Sequence, residues 1–297
     1  MHGWLILDKP LGLGSTQGVS AVKRALRTGG YGKAKVGHGG TLDPLATGVL
    51  PIAIGEATKL AGRMLDSAKI YDFTIRFGEQ TDTLDAEGVT IATSDTRPTR
   101  KALAAVLPRF TGPIAQVPPA YSALKIDGQR AYDLARAGED VVLATRDVTV
   151  HALTIRPVDR DAPLDNITLT AHVSKGTYIR SLARDIALAL GTVGHVTYLR
   201  RIKAGPFDLS RAITLDILDE VAKARSLEDI LLPLGAGLDD IPALALIPDQ
   251  AGALRQGRVL DGIAADDGPA FAMLGDTPVA LVEVDNGFVR VVRGFNL

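Results

Sequence analysis

Strand-like and helix-like hydrophobic patterns alternate irregularly along this chain, and that irregularity restricts its fold more than any other feature. Trp4 to Leu7 reads as a short buried strand. Behind it, Val19, Val22 and Leu26 recur at helical spacing, with Lys23, Arg24 and Arg27 on the opposite side, and Ser15 stands where it would cap that helix. Ala57 to Leu65 is a second helical pattern, Ile70 to Phe77 a strand, and Thr99 a cap for a helix through Leu107. Val148 to Ile155 and Ile167 to Val173 alternate as antiparallel strands do, and Ser181 to Leu190 is an amphipathic helix ended by Gly191. No segment repeats. A doubly wound fold needs a regular βαβ succession, so the pattern predicts an α+β domain built on a mixed or antiparallel central sheet.

A boundary is expected near Leu234-Gly235-Ala236-Gly237-Leu238-Asp239-Asp240, where a helical region ends in glycines and short strand-like runs begin. This divides the chain into a main domain, residues 1–240, and a small one, residues 241–297. In the tail, Val279 to Val284 and Phe288 to Val292 flank Asp285-Asn286-Gly287, a hairpin signal.

With 297 residues, 46% hydrophobic and 23% charged, the chain is long and apolar enough for both domains to be globular. No apolar run approaches the roughly 20 residues of a membrane span, and Trp4 to Leu7 is too short for a signal peptide. The absence of cysteine excludes disulfides, thiolate nucleophiles and the usual structural zinc sites, in keeping with a cytoplasmic protein. His151, His172 and His195 are too far apart for a local HExxH site, so no metal is expected.

The net charge of −1 conceals an uneven distribution. Residues 1–70 hold nine Lys/Arg against four Asp/Glu, residues 151–205 eight against four, and residues 206–297 seven against fifteen. If the two basic segments share a face they attract phosphates, with acidic surface elsewhere; the alternative is a mixed, solvated surface.

The stretch Gly37-His38-Gly39-Gly40-Thr41-Leu42-Asp43-Pro44-Leu45-Ala46-Thr47-Gly48 places one carboxylate in a loop stiffened by glycines before it and proline after it. That is how a catalytic acid is presented. It also matches an ordinary turn in which Asp43 caps the apolar run that follows.

This loop resembles the signature GHTGxLDPxAxG of the TruB family of tRNA pseudouridine synthases. Further blocks follow in family order: Leu7-Asp8-Lys9-Pro10-Leu11-Gly12 with Ser15, Lys69-Ile70-Tyr71, and Pro119-Ala120-Tyr121-Ser122-Ala123-Leu124-Lys125. Ser174-Lys175-Gly176-Thr177-Tyr178-Ile179-Arg180 and Tyr198-Leu199-Arg200-Arg201 complete the set. Gly39 stands where the family usually has threonine, and Gly14 where it usually has a hydroxyl residue.

The resemblance implies a pseudouridine synthase fold with a small, β-barrel-like PUA domain at residues 241–297, where Arg255, Arg258, Arg290 and Arg293 offer cationic contacts. It implies isomerisation of uridine at position 55 in the T-loop of tRNA, by a monomer that needs no cofactor. Asp43 would attack the anomeric carbon or support loss of the base. Burial disfavours its charge, so Arg180 would compensate through a bidentate fork, projecting from a helix capped by Thr177. Tyr71 would stack on the base and take part in proton transfer. Lys9, Pro10 and Leu199 would form pocket wall, Tyr178 would contact substrate, and His38 would stack in the T-loop once the uridine is flipped out. Arg200, Arg201 and Lys203, with Lys23 and Arg24, would meet phosphates.

Two rival classes remain in view. Gly12-Leu13-Gly14-Ser15-Thr16-Gln17-Gly18 hints at a nucleotide site, but its third glycine is one position late and no P-loop occurs. A noncatalytic RNA-binding or tRNA-folding chaperone module would use the same basic segments. It has no need of a carboxylate facing a polyanion.

Overall fold

A computed structural model describes residues 1–122, 124–126, 129–137, 143–157 and 162–297; Ala123 of the Pro119–Lys125 block lies outside them. The main-sheet strands are β1 (Gly3–Lys9), β2 (Val36–His38), β3 (Ala46–Ile54), β4 (Lys69–Phe77), β5 (Gly112–Gln116), β6 (Arg146–Ile155), β7 (Asn166–Val173) and β8 (Gly194–Ala204). They form a sheet in the order β1-β3-β8-β4-β7-β6-β5, with Ala212–Ile213 outside β1, β2 on β3 and Phe207–Asp208 on β8. The sheet is mixed as expected. Strands β3 and β8 run parallel, as do β1 and Ala212–Ile213, and the remaining pairs are antiparallel.

Alternation along the strands explains how the sheet is covered. Leu5 and Leu7 of β1 with Leu50, Ile52 and Ile54 of β3 face helices α1 (Ser15–Thr28) and α5 (Leu215–Ala224). Phe73, Ile75 and Phe77 of β4 with Leu169, Ala171 and Val173 of β7 face α3 (Arg100–Val106) and α4 (Ile179–Ala189). Tyr71 and Leu199 pack against both of these cores and mark the seam between them. On the reverse of β1 and β3, Trp4, Ile6, Val49 and Ala53 meet Met64 of α2 (Ala61–Asp66) and Phe271 and Phe295 from the tail.

The local signals fared well with one exception among the first caps. Thr99 Oγ1 accepts from the Ala102 N–H at 3.1 Å, as a capping hydroxyl does. Ser15 instead lies inside α1 and does not cap it. The cap is Gly14, whose N–H donates to Gln17 Oε1 at 2.7 Å, so one half of a capping box survives without a hydroxyl residue at Gly14.

Beyond Asp240 a second sheet forms from β9 (Ala243–Ala245), β10 (Gly268–Leu274), β11 (Thr277–Asp285) and β12 (Phe288–Gly294), in that order. Helix α6 (Pro248–Arg255) packs on it around a core of Leu254, Ala272, Val282 and Val289. The anticipated hairpin is β11–β12, with Asn286 (φ 50°) and Gly287 (φ 79°) both left-handed in its turn. Among the described residues no helix is long and apolar enough to cross a membrane.

Candidate active site

The glycine- and proline-bounded loop before β3 is tied down from several directions. Ser15 Oγ accepts from the Leu42 N–H at 2.8 Å and donates to the Leu42 carbonyl at 3.0 Å. The Gly12 N–H donates to the Pro44 carbonyl at 2.9 Å. Lys9, wholly buried, donates from Nζ to the carbonyls of Leu13 (2.5 Å), Pro10 (3.1 Å) and Pro44 (3.2 Å). Arg201, only 1% exposed, donates to the carbonyls of Val49 (2.8 Å), Gly40 (3.2 Å) and Thr41 (3.3 Å). Two buried cations thus grip the loop from behind by its carbonyls. Each such bond is charge-assisted, and losing one leaves a buried carbonyl unpaired.

Gly39 shows why this loop lacks the usual threonine. A Cβ at that position would lie 2.6 Å from Met64 Cβ and 3.1 Å from its Cγ, so α2 occupies the space a side chain would need.

Asp43 emerges from the loop with its side chain 45% exposed, and its Oδ2 is 2.9 Å from Arg180 Nη2, whose own side chain is 7% exposed. Arg180 stands in the first turn of α4, and its guanidinium is spoken for at both ends. Nη2 also donates to the Tyr121 carbonyl at 3.0 Å; Nη1 donates to the Thr83 carbonyl at 2.8 Å and lies 3.3 Å from Asp85 Oδ2. Asp85 is fixed in turn, its Oδ1 accepting from Thr83 Oγ1 (2.6 Å) and the Glu87 N–H (3.1 Å). The arginine contacts Asp43 through a single nitrogen, not a two-point fork. Its second arm is used to hold it in place against Asp85.

Thr177 does not cap α4; its Oγ1 donates to the Ser174 carbonyl at 3.0 Å. The N-cap is Tyr178, whose N–H donates to Gln116 Oε1 at 2.8 Å. Burial pushes the Tyr178 phenol above its ordinary value, with Ser122 and Arg146 opposing the shift.

In front of this pair lies a cavity of about 390 Å³ whose walls include Asp43, Tyr71, Tyr178, Arg180, Leu199 and Arg201. Residues far apart in the chain meet here because Tyr71 on β4 and Leu199 on β8 occupy the seam between the two cores. Lys69 also lines the cavity and donates to the carbonyls of Met64 (2.8 Å), Leu65 (2.7 Å) and Ser67 (2.6 Å) at the end of α2. Burial, aided by Arg201, pushes Lys69 down to about 8. Burial likewise pushes Lys9 down to about 8, against the opposing pull of Asp43.

Other expected contacts lie elsewhere. Lys9 is not on the cavity wall, because strand alternation turns its ammonium into the base of the loop, and Pro10 is exposed outside the cavity. Arg201, expected at phosphates, is instead buried, with its guanidinium bonded to backbone carbonyls. Arg200, one residue along β8 and therefore on the reverse face, pairs with Asp8 at 2.7 Å. His38 is half-buried on β2 off the cavity; burial and then Arg201 depress its basicity. Lys203, Lys23 and Arg24 are exposed.

Asp85 escaped the sequence reading. It sits in the run Asp82-Thr83-Leu84-Asp85-Ala86-Glu87-Gly88, an acidic, turn-rich segment that reads as a solvated loop. Leu84 at φ 61° is the sign of a constrained turn there, and it is invisible in the sequence.

Comparison with known proteins agrees over the whole chain. A family model described as TruB family pseudouridylate synthase (N terminal domain) matches residues 26–179, and one described as tRNA pseudouridylate synthase B C-terminal domain matches residues 180–239. The chain is 64% identical over 298 residues to tRNA pseudouridine synthase B of Novosphingobium aromaticivorans, covering 100% of this chain and 98% of that one. It is 61% identical over 296 residues to tRNA pseudouridine synthase B of Zymomonas mobilis subsp. mobilis, covering 100% and 96%. Among solved structures, a chain from a Cbf5-Nop10-Gar1 complex superposes with a TM-score of 0.73 at 24% identity, over 98% of this chain and 84% of that chain. One from an archaeal box H/ACA sRNP Nop10-Cbf5 complex gives 0.71 at 23% identity, over 98% and 85%. These two establish the fold, including the small C-terminal sheet, and the sequence relatives establish the lineage: the chain belongs to the TruB family of pseudouridylate synthases.

Proposed function

We propose that this chain converts uridine to pseudouridine in tRNA, at position 55 of the T-loop, with Asp43 as the reacting carboxylate. The observation that carries this reading is the Asp43–Arg180 pair at 2.9 Å, a half-exposed carboxylate held at a cavity wall by a buried guanidinium. The reaction is an isomerisation. The bond from the sugar C1′ to N1 breaks, a bond from C1′ to C5 forms, C5 gives up its proton, and N1 gains one. No electrons are exchanged with a second reactant.

Asp43 is suited to the first step, either adding to C1′ as nucleophile or stabilising it while the base departs with proton abstraction. Arg180 keeps that carboxylate aimed, which lowers the reorganisation needed as charge develops at the sugar. Tyr71 offers the base a ring to stack on and a hydroxyl for moving the C5 proton. Leu199 and Tyr178 line the same cavity, whose walls would keep the detached base from diffusing away.

A uridine in a folded T-loop is stacked, so it must be flipped out at a cost of a few kcal/mol, and His38 is the residue we assign to the vacated place. Exposed Lys23, Arg24 and Lys203 would meet phosphates, and residues 241–297 would add affinity for the T-arm through Arg255, Arg258, Arg290 and Arg293. A cysteine-free composition fits a cytoplasmic enzyme. The chaperone reading remains compatible with the same surface but leaves the Asp43–Arg180–Asp85 arrangement without a task.

The test is incubation of the purified chain with an unmodified tRNA transcript, followed by chemical mapping of pseudouridine. Product at the T-loop uridine, absent with Asp43→Asn at comparable RNA affinity, is the expected result. Equal product from Asp43→Asn would remove Asp43 from the chemistry.

A further inference from the structure

We propose that Gln116 is a positioning residue for the active site: its side-chain oxygen fixes where α4 begins, and so where Tyr178 and Arg180 stand relative to Asp43. The inference rests on the reaction proposed above, which it deepens by adding a residue that never touches the substrate.

The first N–H groups of a helix have no partner within it and need one from outside. In α4 neither Tyr178 nor its neighbour Thr177 caps the helix with its own side chain, because the Thr177 hydroxyl is turned towards Ser174. The Tyr178 N–H donates instead to Gln116 Oε1 at 2.8 Å. Gln116 ends edge strand β5, held opposite Arg146 of β6, and lies outside the cavity lining. An element remote from the chemistry therefore sets the start of the helix that carries Arg180.

The chain leaving Gln116 reinforces this hold. The Val117 carbonyl accepts from Ser181 Oγ at 2.8 Å and from Arg184 Nη2 at 3.1 Å. The Tyr121 carbonyl accepts from Arg180 Nη2 at 3.0 Å. The strap from Gln116 to Tyr121 thus follows the first two turns of α4, and its first bond is the one to the helix start.

The other end of the amide separates positioning from simple stability. Gln116 is 1% exposed, and its Nε2 has no hydrogen-bond partner among the described residues. A buried donor left unpaired is unfavourable, so an apolar side chain of similar size would remove one defect while creating another at the Tyr178 N–H. The two changes offset each other in stability. They do not offset each other in geometry, since only the oxygen defines the position of the Tyr178 backbone.

The experiment compares the full chain with Gln116→Leu and Gln116→Glu, using unmodified tRNA transcript under steady-state conditions, with melting temperature and backbone hydrogen exchange of residues 177–182 measured alongside. Gln116→Leu should lower kcat on the order of 10- to 100-fold, as misplacement of about an ångström does, with KM within about threefold and a melting temperature within a few degrees. The first turn of α4 should exchange faster. Gln116→Glu keeps an acceptor oxygen at the same reach, so kcat should return to within about fivefold of the unsubstituted chain and slow exchange should be restored. A folded Gln116→Leu protein with unchanged kcat would overturn the proposal. So would a loss shared equally by Gln116→Glu, or a fall in kcat that merely follows a fall in melting temperature. If the unsubstituted chain leaves tRNA unmodified, the proposed reaction fails, and identical exchange in the three proteins would separately sink the positioning role.

Discussion

Replacing Arg180 by lysine separates charge from geometry. The guanidinium reaches Asp43 at 2.9 Å with one nitrogen and Asp85 at 3.3 Å with the other, and donates to the Thr83 and Tyr121 carbonyls at 2.8 and 3.0 Å. An ammonium is a point charge on a flexible stem and does not span that pattern. A lysine drawn to the Asp85 side, where Thr83 also waits, leaves Asp43 without its contact. An ion pair with one partner buried and the other, Asp43, 45% exposed and therefore partly screened is worth about 1.5–2 kcal/mol. At about 1.4 kcal/mol per tenfold, Arg180→Lys should lower kcat on the order of 10- to 30-fold. KM should change much less, because the lost contact is to the reacting group and not to the RNA. The assay is pseudouridine formation on an unmodified transcript over a range of RNA concentrations, with RNA affinity measured separately. A variant with kcat within twofold of the unsubstituted chain would refute the argument that the anchored guanidinium aims Asp43. Arg180→Met serves as the severe control: it leaves Asp85 buried without its cation and should destabilise the fold by about 3–5 kcal/mol.

Tyr71→Phe should keep the stacking ring and lose the hydroxyl, so kcat should fall well over tenfold while tRNA binding changes less than about threefold; equal loss of both would indicate a packing defect. Gly39→Thr, which restores the common family residue, should destabilise the chain by about 1–3 kcal/mol because its Cβ would lie 2.6 Å from Met64 Cβ, and a denaturant titration showing no change would disprove that steric reading. Lys69, pushed down to about 8 from 10.5, binds its proton more weakly folded than unfolded. Its burial penalty is therefore fully present below pH 8 and is relieved as pH rises from about 8 towards 10.5, so stability rises with pH over that window. The melting temperature of the unsubstituted chain should gain on that of Lys69→Met between pH 8 and 10; a gap that stays flat or narrows would contradict it.

Much of the architecture was legible in advance. The strand over residues 70–77, the antiparallel pair over residues 148–155 and 167–173, the cap at Thr99 and the hairpin around Asn286-Gly287 all follow from local periodicity and turn chemistry. Hydrophobic alternation survives into the structure because it records which face of each element must leave water. Caps were less secure. Ser15 and Thr177 have the right side chains at nearly the right places, yet each hydroxyl is used in a tertiary or neighbouring-loop bond instead. A hydroxyl can satisfy several geometries, and the chain neighbours alone do not choose among them.

The sequence by itself determined the family, and it singled out the carboxylate, the arginine and the aromatic that the fold gathers at one cavity, because those rest on residue identity and order. Only the tertiary structure decided what each cation does. Lys9, Arg200 and Arg201 are all cations, but strand alternation turns Lys9 and Arg201 inward beneath the Asp43 loop and Arg200 to the reverse face against Asp8. The same is true of Asp85 and Gln116, which are separated from Arg180 by more than sixty residues and meet it, or its helix, only after strands β4, β7, β6 and β5 have assembled. A charge in a sequence carries no record of whether water or a carbonyl will face it, and burial, which sets its task, is a property of the folded whole.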